Sequence, residues 1–319
     1  MTPQSQQILK DFQIRKSKKQ KETFRSWLCE EMEKAGYAPR VEKEKSLVES
    51  HNVVVGDPEK AEILFTAHYD TCAVLPFPNF VTPRNMLVYT LYQLLLCLGF
   101  FALAFGGELA LLMLWNDAPM WLCLAVPYGV CIFCVWWMLD GKANKHTAND
   151  NTSGVVTLVE TALALPEEYR DRVCFVFFDN EEKGLFGSGA FARRHRTVKR
   201  DKLLLNFDCV SDGDYIQLYP AKALKKDAAA LERLEDAFRG RGEKTAEVVR
   251  GFAFYPSDQR AFRLGVGVCA LKKQPVIGYY MNRIHTRRDT VLEEENIRLL
   301  RDGALRLAGW RTEKTGDFS

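Results

Sequence analysis

Five side chains of metal-binding type, each set in its own short motif, follow one another along the chain in an order typical of a two-metal hydrolytic site. They are His68, Asp150, Glu182, Asp208 and His285. Imidazole nitrogens and carboxylate oxygens are the ligands that zinc takes in catalytic centres. Each motif alone has an ordinary structural explanation, but their joint occurrence predicts one hydrolytic site holding two zinc ions.

The first motif, ILFTAHYDT, ends a strand-like run with His68 and Asp70. Side chains two residues apart on a strand point to the same face. Asp70 can therefore accept a hydrogen bond from the imidazole nitrogen of His68 that faces away from a metal. Such a partner fixes the tautomer of a metal-binding histidine, so Asp70 is predicted to orient His68.

The second motif, ANDNTSGVVTLVETA, places Asp150 just before a predicted helix. An aspartate at this place often only caps the helix. The functional interpretation makes Asp150 the carboxylate that bridges two metals, with one oxygen on each. Gly154 would then let the helix approach the sheet closely.

The most specific motif is VCFVFFDNEEKGLFGSGAF, in which a buried strand delivers Asp179, Glu181 and Glu182 into a glycine-bearing turn. Adjacent carboxylates in a crevice repel each other, and one of them should become protonated. A divalent cation bound to Glu182 removes this conflict and leaves Glu181 free to act as a general base. Solvated loop acids remain the structural alternative for this segment.

Asp208 and His285 also follow strand-like runs, in KLLLNFDCVSDGD and YMNRIHTRRDT. Carboxylates at the carboxyl ends of neighbouring strands line the crevice where α/β proteins bind ligands. We therefore expect both residues to lie close to the first three motifs.

Apolar runs rich in β-branched and aromatic residues alternate with helical patterns, which predicts an α/β fold with a central, mixed, mostly parallel sheet flanked by helices. The predicted strands are Asn52 to Val55, Ile63 to Ala67, Val173 to Phe178, Leu203 to Phe207 and Pro275 to Tyr279. The predicted helices are residues 5 to 36, Ser153 to Leu165, Leu185 to Arg194, Lys225 to Arg239, Ser257 to Leu264 and Glu293 to Trp310.

A long apolar insert, residues 85–139, separates the first two motifs. Residues 85–107 and 118–139 carry no charge, and only Glu108 and Asp117 lie between these runs. Each run is long enough to cross a bilayer, for which about 20 apolar residues are needed. The sequence predicts a transmembrane helical hairpin inserted into a discontinuous catalytic domain of residues 1–84 and 140–319. A soluble insert buried in a core or dimer interface is the alternative.

The flanks of this hairpin carry Arg84, Lys142 and Lys145, whereas the loop between its helices has neither lysine nor arginine. The positive-inside rule places such flanks in the cytoplasm. We predict a multi-pass membrane protein with two spans, lipid contact through residues 85–139 and a catalytic domain facing the cytoplasm. The nine irregularly spaced cysteines agree with a reducing compartment.

Whole-chain composition adds little to this picture. A net charge of +3 over 319 residues indicates no polyanionic partner, so nucleic-acid binding is not expected. The sequence predicts no particular oligomeric state.

The series AHYDT, NDNTSG, FDNEEKGLFGS, NFD and IHTRRDT resembles metallopeptidase family 28, the co-catalytic two-zinc aminopeptidases. The resemblance implies that His68 and Asp208 hold one zinc, that Glu182 and His285 hold the other, and that Asp150 bridges them. It also implies that Glu181 is the general base. The implied substrate is a peptide with a free N-terminus, whose α-amine one zinc receives.

Some positions depart from the family pattern. Gln259 stands where a histidine is common, and Phe254 occupies the expected place of a carbonyl-binding tyrosine, with Tyr255 displaced by one. The carbonyl-binding role therefore stays open. Two other functions also stay open: a zinc-dependent aminoacyl cyclase or amidohydrolase on the same fold, whose usual site holds one metal, and a membrane scaffold with a peptidase-like domain.

Overall fold

The computed structural model describes residues 1–45 and 47–309, and nine strands within these ranges form one mixed sheet. The strands are β1 (Pro39–Lys45), β2 (Glu49–Val55), β3 (Ile63–His68), β4 (Val173–Phe178), β5 (Leu203–Phe207), β6 (Tyr215–Pro220), β7 (Thr245–Val248), β8 (Gly265–Gln274) and β9 (Gly278–Tyr280). Their order is β1-β2-β4-β3-β5-β8-β6-β7, with β9 paired to β8. The central strands β4, β3, β5 and β8 are parallel, which confirms the predicted mixed, mostly parallel sheet.

Helices cover both faces of this sheet. They are α1 (Pro3–Asp11), α2 (Lys18–Lys34), α3 (Met86–Leu114), α4 (Met120–Asp140), α5 (Gly154–Ala164), α6 (Phe186–Arg194), α7 (Arg196–Asp201), α8 (Ala228–Ala237) and α9 (Glu294–Leu307). On β4, Phe175 and Phe177 pack towards α1, α2, α5, α8 and α9, while Val176 and Phe178 pack towards α6 and α7. Because successive strand side chains alternate between faces, a strand buried on both sides is apolar throughout.

The predicted strands Val173 to Phe178 and Leu203 to Phe207 are confirmed, but the strand Pro275 to Tyr279 is wrong in position. Only Gly278–Tyr280 is extended there, and the long strand β8 precedes it. Pro275 lies in the turn between them. A proline has no N–H to donate to a strand partner, so a turn accommodates it readily.

Two helix predictions are also wrong, and the end of a third cannot be compared. Residues 5 to 36 form two helices rather than one, and the segment Ser257 to Leu264 contains only a short 3-10 turn, Asp258–Ala261. Helix α9 ends at Leu307, and the predicted end at Trp310 lies outside the described residues.

Arg15 explains the break between α1 and α2. Its side chain is completely buried, and its guanidinium donates to the carbonyl oxygen of Tyr69 at 2.5 Å. After this inward turn, Ser17 and Gln20 form a capping box that starts α2. Five basic residues lie just before Phe24, and two of them, Arg15 and Lys21, are buried. The five are Arg15, Lys16, Lys18, Lys19 and Lys21.

The insert forms two antiparallel helices, α3 and α4, that pack on each other through Gly107. A Cβ atom at Gly107 would lie 3.3 Å from Val126 Cγ1. Both helices are long and apolar enough to cross a membrane. Only 6% of the most apolar 18-residue stretch of each helix is buried against the rest of the described structure. Trp115 and Trp121 lie at the loop end of the hairpin, and Trp136 and Trp137 lie near its other end.

The hairpin is fixed to the sheet domain where it leaves and re-enters. Tyr92 Oη on α3 donates to the carbonyl oxygen of Pro78 at 2.6 Å. At the end of α4, Lys183 Nζ lies 2.6 Å from Asp140 Oδ1. These contacts at their ends therefore hold the two helices to the sheet domain.

The close approach of α5 to the sheet depends on Gly154. A Cβ atom there would lie 2.2 Å from the carbonyl oxygen of Phe207 at the end of β5. Gly154→Ala should lower the free energy of unfolding by about 1–3 kcal/mol, because the added methyl forces the helix off the sheet. Gly189→Ala, at a helical glycine where the nearest heavy atom would be 3.6 Å away, is the matched control. Equal chemical-denaturation midpoints for the two variants would contradict this account.

Candidate metal centre

The carboxyl ends of three adjacent parallel strands form the floor of the centre. His68 is the last residue of β3, Asp208 directly follows β5, and Glu181 and Glu182 follow β4. Because the sheet order is β4-β3-β5, these side chains emerge side by side. Asp150 and His285 reach the same place from loops, so all five predicted ligands meet in one crevice.

The distances divide the ligands into two positions that share Asp150. In the first position, His68 Nε2 lies 3.3 Å from Asp150 Oδ1 and 3.5 Å from Asp208 Oδ1. In the second position, His285 Nε2 lies 3.2 Å from Asp150 Oδ2 and 3.3 Å from Glu182 Oε2. The two oxygens of Asp150 thus face different histidines, which is the arrangement that a bridging carboxylate requires.

The donor atoms fit divalent cations. Glu182 Oε1 and Asp208 Oδ1 are buried and have no hydrogen-bond partner among the described residues. Burial, followed by repulsion from Asp150, raises the pKa of Glu182 well above its usual range. Buried carboxylates without partners are costly unless a cation compensates them. Nitrogen and oxygen donors of this kind suit zinc.

Glu181 does not belong to either position but lies beside both. Donor atoms of His68, Glu181 and Glu182 all lie within 4.8 Å of one another. Burial, together with repulsion from Asp208, outweighs the attraction of His68 and raises the pKa of Glu181 well above its usual range. Its carboxylate is therefore placed to exchange a proton with a group bound beside His68.

Asp70 lies next to His68 as expected, but its carboxylate has a further role. Its Oδ1 and Oδ2 accept hydrogen bonds from the backbone N–H groups of Glu181 at 3.0 Å and Glu182 at 3.2 Å. His68 Nδ1 lies 3.1 Å from the carbonyl oxygen of Asp70 and 3.6 Å from its Oδ1. Asp70 thus joins the ends of β3 and β4, and its orientation of His68 stays a prediction.

Asp289 was not assigned a role from the sequence, yet it holds the loop of the shared carboxylate. Its two oxygens accept from the N–H groups of Asn149 at 2.8 Å and Asp150 at 3.0 Å. Burial, followed by repulsion from Asp150, raises the pKa of Asp289 to about 7. In the sequence, Asp289 is marked only by its position four residues after His285 in the same motif, IHTRRDT.

Tyr255 and Ser257 support Asp208 from the other side. The Tyr255 hydroxyl donates to the carbonyl oxygen of Asp208 at 2.9 Å, and Ser257 Oγ donates to its Oδ2 at 2.5 Å. The Tyr255 hydroxyl is therefore committed to the backbone rather than turned towards the crevice. Gln259, in the place where a histidine is common, donates to the carbonyl oxygen of Tyr255 at 2.8 Å.

The structure separates Asp179 from the other carboxylates of its motif. Asp179 Oδ1 lies 2.6 Å from Lys21 Nζ, and Asp179 Oδ2 accepts from the N–H of His51 at 3.0 Å. This buried ion pair connects α2 to the end of β4. Asp179 is thus a structural residue beside the centre.

A cleft of about 350 Å³ opens onto Glu181 and four of the five predicted ligands, Asp150, Glu182, Asp208 and His285. Its walls come from several parts of the chain: Asn79, Val81, Leu139, Lys183, Gly184, Leu185, Tyr255, Pro256, Met281 and Ile284. Leu139 belongs to the last turn of α4. The cleft therefore opens beside the end of the apolar hairpin.

A sequence model of peptidase family M28 matches residues 139–305. The chain belongs to this family. The matched range contains Asp150, Glu182, Asp208 and His285, whereas His68 and Asp70 precede it. No curated protein sequence is detectably similar to the chain.

Solved structures of related fold include both peptidases and cyclases. A glutaminyl cyclase from Porphyromonas gingivalis superposes with a TM-score of 0.59 and 14% identity, over 96% of this M28 chain and 95% of the cyclase. A Zn-dependent exopeptidase from Parabacteroides distasonis gives 0.59 and 14%, over 96% of each chain. The LapA aminopeptidase of Legionella pneumophila gives 0.55 and 16%, over 96% of this chain and 68% of LapA. At these identities the similarity establishes the zinc exopeptidase fold alone.

Because Asp289 fixes the Asp150 loop, Asp289→Asn should weaken metal binding by about 10–100-fold. The amide keeps the size of the side chain but offers only one acceptor oxygen to two N–H groups. Metal affinity would be measured by competition with a chromophoric chelator. Asp302→Asn, at an aspartate paired with Arg301 on α9, is the control. An unchanged affinity in the Asp289 variant would refute the positioning role.

Proposed function

We propose that this M28 protein is a zinc-dependent aminopeptidase that removes N-terminal residues from peptides with two zinc ions in the candidate centre. The observation that carries the proposal is the shared carboxylate, since the two oxygens of Asp150 face two different histidines. His68 and Asp208 would complete the first zinc position, and Glu182 and His285 the second. Each position contains a buried carboxylate oxygen without a partner among residues 1–45 and 47–309.

Zinc bound at such a centre activates water near neutral pH and polarises a scissile carbonyl. Glu181 is the residue that would accept the proton of the attacking water, because its carboxylate lies against His68 without belonging to either position. Having taken that proton, it can pass it to the departing amine. Asp70 would keep Glu181 and Glu182 in place through their N–H groups.

A glutaminyl cyclase is the second candidate, and a specific observation favours it. The chain superposes on the Porphyromonas gingivalis cyclase over 95% of that protein with a TM-score equal to that of the exopeptidase. Cyclases of this fold usually hold one metal, whereas both positions here have a full set of donors. The donor set therefore favours the aminopeptidase. It also disfavours a catalytically inert membrane scaffold, in which ligands are typically lost.

One substrate distinguishes the two activities: a peptide that begins with glutamine. An aminopeptidase releases free glutamine and a peptide shortened by one residue, whereas a cyclase releases ammonia and leaves the peptide with a pyroglutamyl end. We expect shortening, abolished by chelation and by N-terminal acetylation of the peptide. Products would be identified by mass spectrometry.

Glu181→Gln is the matched control, because it should retain fold and bound zinc but lose turnover by at least ~10²-fold. Activity equal to that of the parent protein would reject Glu181 as the base. Loss of ammonia without shortening would establish the cyclase, and cleavage of acetylated peptides would redirect the proposal to another amidohydrolase.

We further propose that α3 and α4 cross a bilayer and that the sheet domain faces the cytoplasm. The support is the apolar length of the two helices and the lysines and arginine at their sheet-domain ends, Arg84, Lys142 and Lys145. The tryptophans near both ends of the hairpin suit the two membrane interfaces. With Leu139 in its wall, the cleft would then open close to the membrane surface.

The hairpin predicts that the protein remains in the membrane pellet after washing with high salt and with alkaline carbonate, because apolar helices in lipid do not depend on ionic contacts. Quantitative release into the supernatant would reject the two spans. The orientation is tested separately by placing cysteines at Asp117 in the loop and at Lys145 on the flank. An impermeant maleimide should label D117C in intact cells and K145C only after lysis, above the background of the parent protein.

A further inference from the structure

One thiol lies among the donor atoms of the second position. Donor atoms of Cys72, Glu182 and His285 all lie within 4.8 Å of one another. Cys72 follows His68 by four residues, in AHYDTC, and its side chain is only 2% exposed.

The loop that carries Cys72 is fixed against the loop that carries His285. Asn144 connects them, since its backbone N–H donates to the carbonyl oxygen of Cys72 at 3.1 Å and its Nδ2 donates to the carbonyl oxygen of Thr286 at 2.9 Å. In addition, the N–H of Leu75 donates to the carbonyl oxygen of His285 at 2.8 Å. The proximity of the thiol to the second position is therefore built into the backbone.

A second observation points to a cation at this place. Glu182, in the same group, has a side chain that is only 7% exposed, and its Oε1 has no hydrogen-bond partner within the described part of the chain. Donor atoms around one tetrahedral zinc ion lie roughly 3.5 Å apart, given bonds of about 2.0–2.3 Å. The donor atoms of Cys72, Glu182 and His285 lie within 4.8 Å of one another, so their separations exceed this value by at most about 1.3 Å.

We propose that Cys72 Sγ is a ligand of the metal at the second position, beside Asp150, Glu182 and His285. This proposal rests on the proposed zinc centre and adds a donor to it. On binding, the thiol loses its proton to solvent and the sulfur forms a bond to the metal, so that the second position contains a thiolate.

The thiolate makes the two positions chemically unequal. The second would have four protein donors, which is a closed set for zinc, whereas the first has three and keeps an open place for water. The open place then lies at His68, beside Glu181. A sulfur donor also favours zinc, cobalt or cadmium over magnesium and manganese at the second position.

X-ray absorption of the full-length zinc-loaded protein tests the proposal without reference to activity. We expect one sulfur scatterer per two zinc ions at about 2.3 Å. After replacement of zinc by cobalt, we expect a near-ultraviolet sulfur-to-cobalt charge-transfer band. Cys72→Ser should lose both signals, while Cys209→Ser should keep them, because Cys209 follows the ligand Asp208 but belongs to none of the donor groups among the described residues.

If Cys72→Ser does not fold, X-ray absorption and the cobalt spectrum of the parent protein still test whether sulfur binds the metal. Two bound zinc ions without sulfur in their coordination would overturn the role of Cys72 and leave the proposed aminopeptidase intact. Loss of the signals in Cys209→Ser but not in Cys72→Ser would also overturn it. Failure of the protein to bind zinc at all would instead reject the zinc centre on which the proposed function depends.

Discussion

The mutual repulsion of buried carboxylates is the constraint around which this molecule is organised. Asp150, Glu181, Glu182 and Asp208 meet in one crevice beside the imidazoles of His68 and His285. In a low-dielectric interior such a cluster is unfavourable unless cations or hydrogen-bond donors compensate it. The chain provides donors for part of this charge and leaves the rest for metal ions. The oxygens left without a hydrogen-bond donor among the described residues, Glu182 Oε1 and Asp208 Oδ1, are among the atoms proposed to bind metal.

Backbone N–H groups compensate two further carboxylates that border this cluster. The carboxylates of Asp70 and Asp289 each accept two of them, and each pair of N–H groups belongs to a segment that carries metal-binding residues. Four residues at or near the predicted ligands adopt left-handed backbone angles: Asn180 at φ 56°, Leu185 at 61°, Cys209 at 57° and His285 at 62°. Such angles are costly for residues other than glycine and persist where the surroundings hold them. Here they turn the chain sharply after strands so that the side chains converge.

Much of this could be predicted from the sequence, because ligands at strand ends are set by local patterns. The apolar runs that end at His68, four residues before Glu182 and directly before Asp208 determine the strands and bring these side chains to one edge of the sheet. The role of Asp289 could not be predicted, because its partners are backbone N–H groups about 140 residues away in sequence. Likewise, the break at Arg15 depends on a buried contact with Tyr69 that no local pattern contains. Because the amphipathic pattern of residues 5 to 36 continues across that break, the sequence predicts one helix where the structure has two.

Contacts between residues distant in sequence also explain how an apolar hairpin can lie between His68 and Asp150 without disturbing the centre. The chain leaves and re-enters the domain at paired positions, since Ala73 and Ala143 form an antiparallel bridge and the N–H of Val74 donates to the carbonyl oxygen of Lys142 at 2.8 Å. These contacts close the loop before the insert begins, so the positions of His68 and Asp150 do not depend on its length. Close to this bridge, Cys72 lies beside Glu182 and His285, and Leu139 lines the cleft. An insert attached at this place therefore connects the centre directly to whatever environment surrounds its two apolar helices.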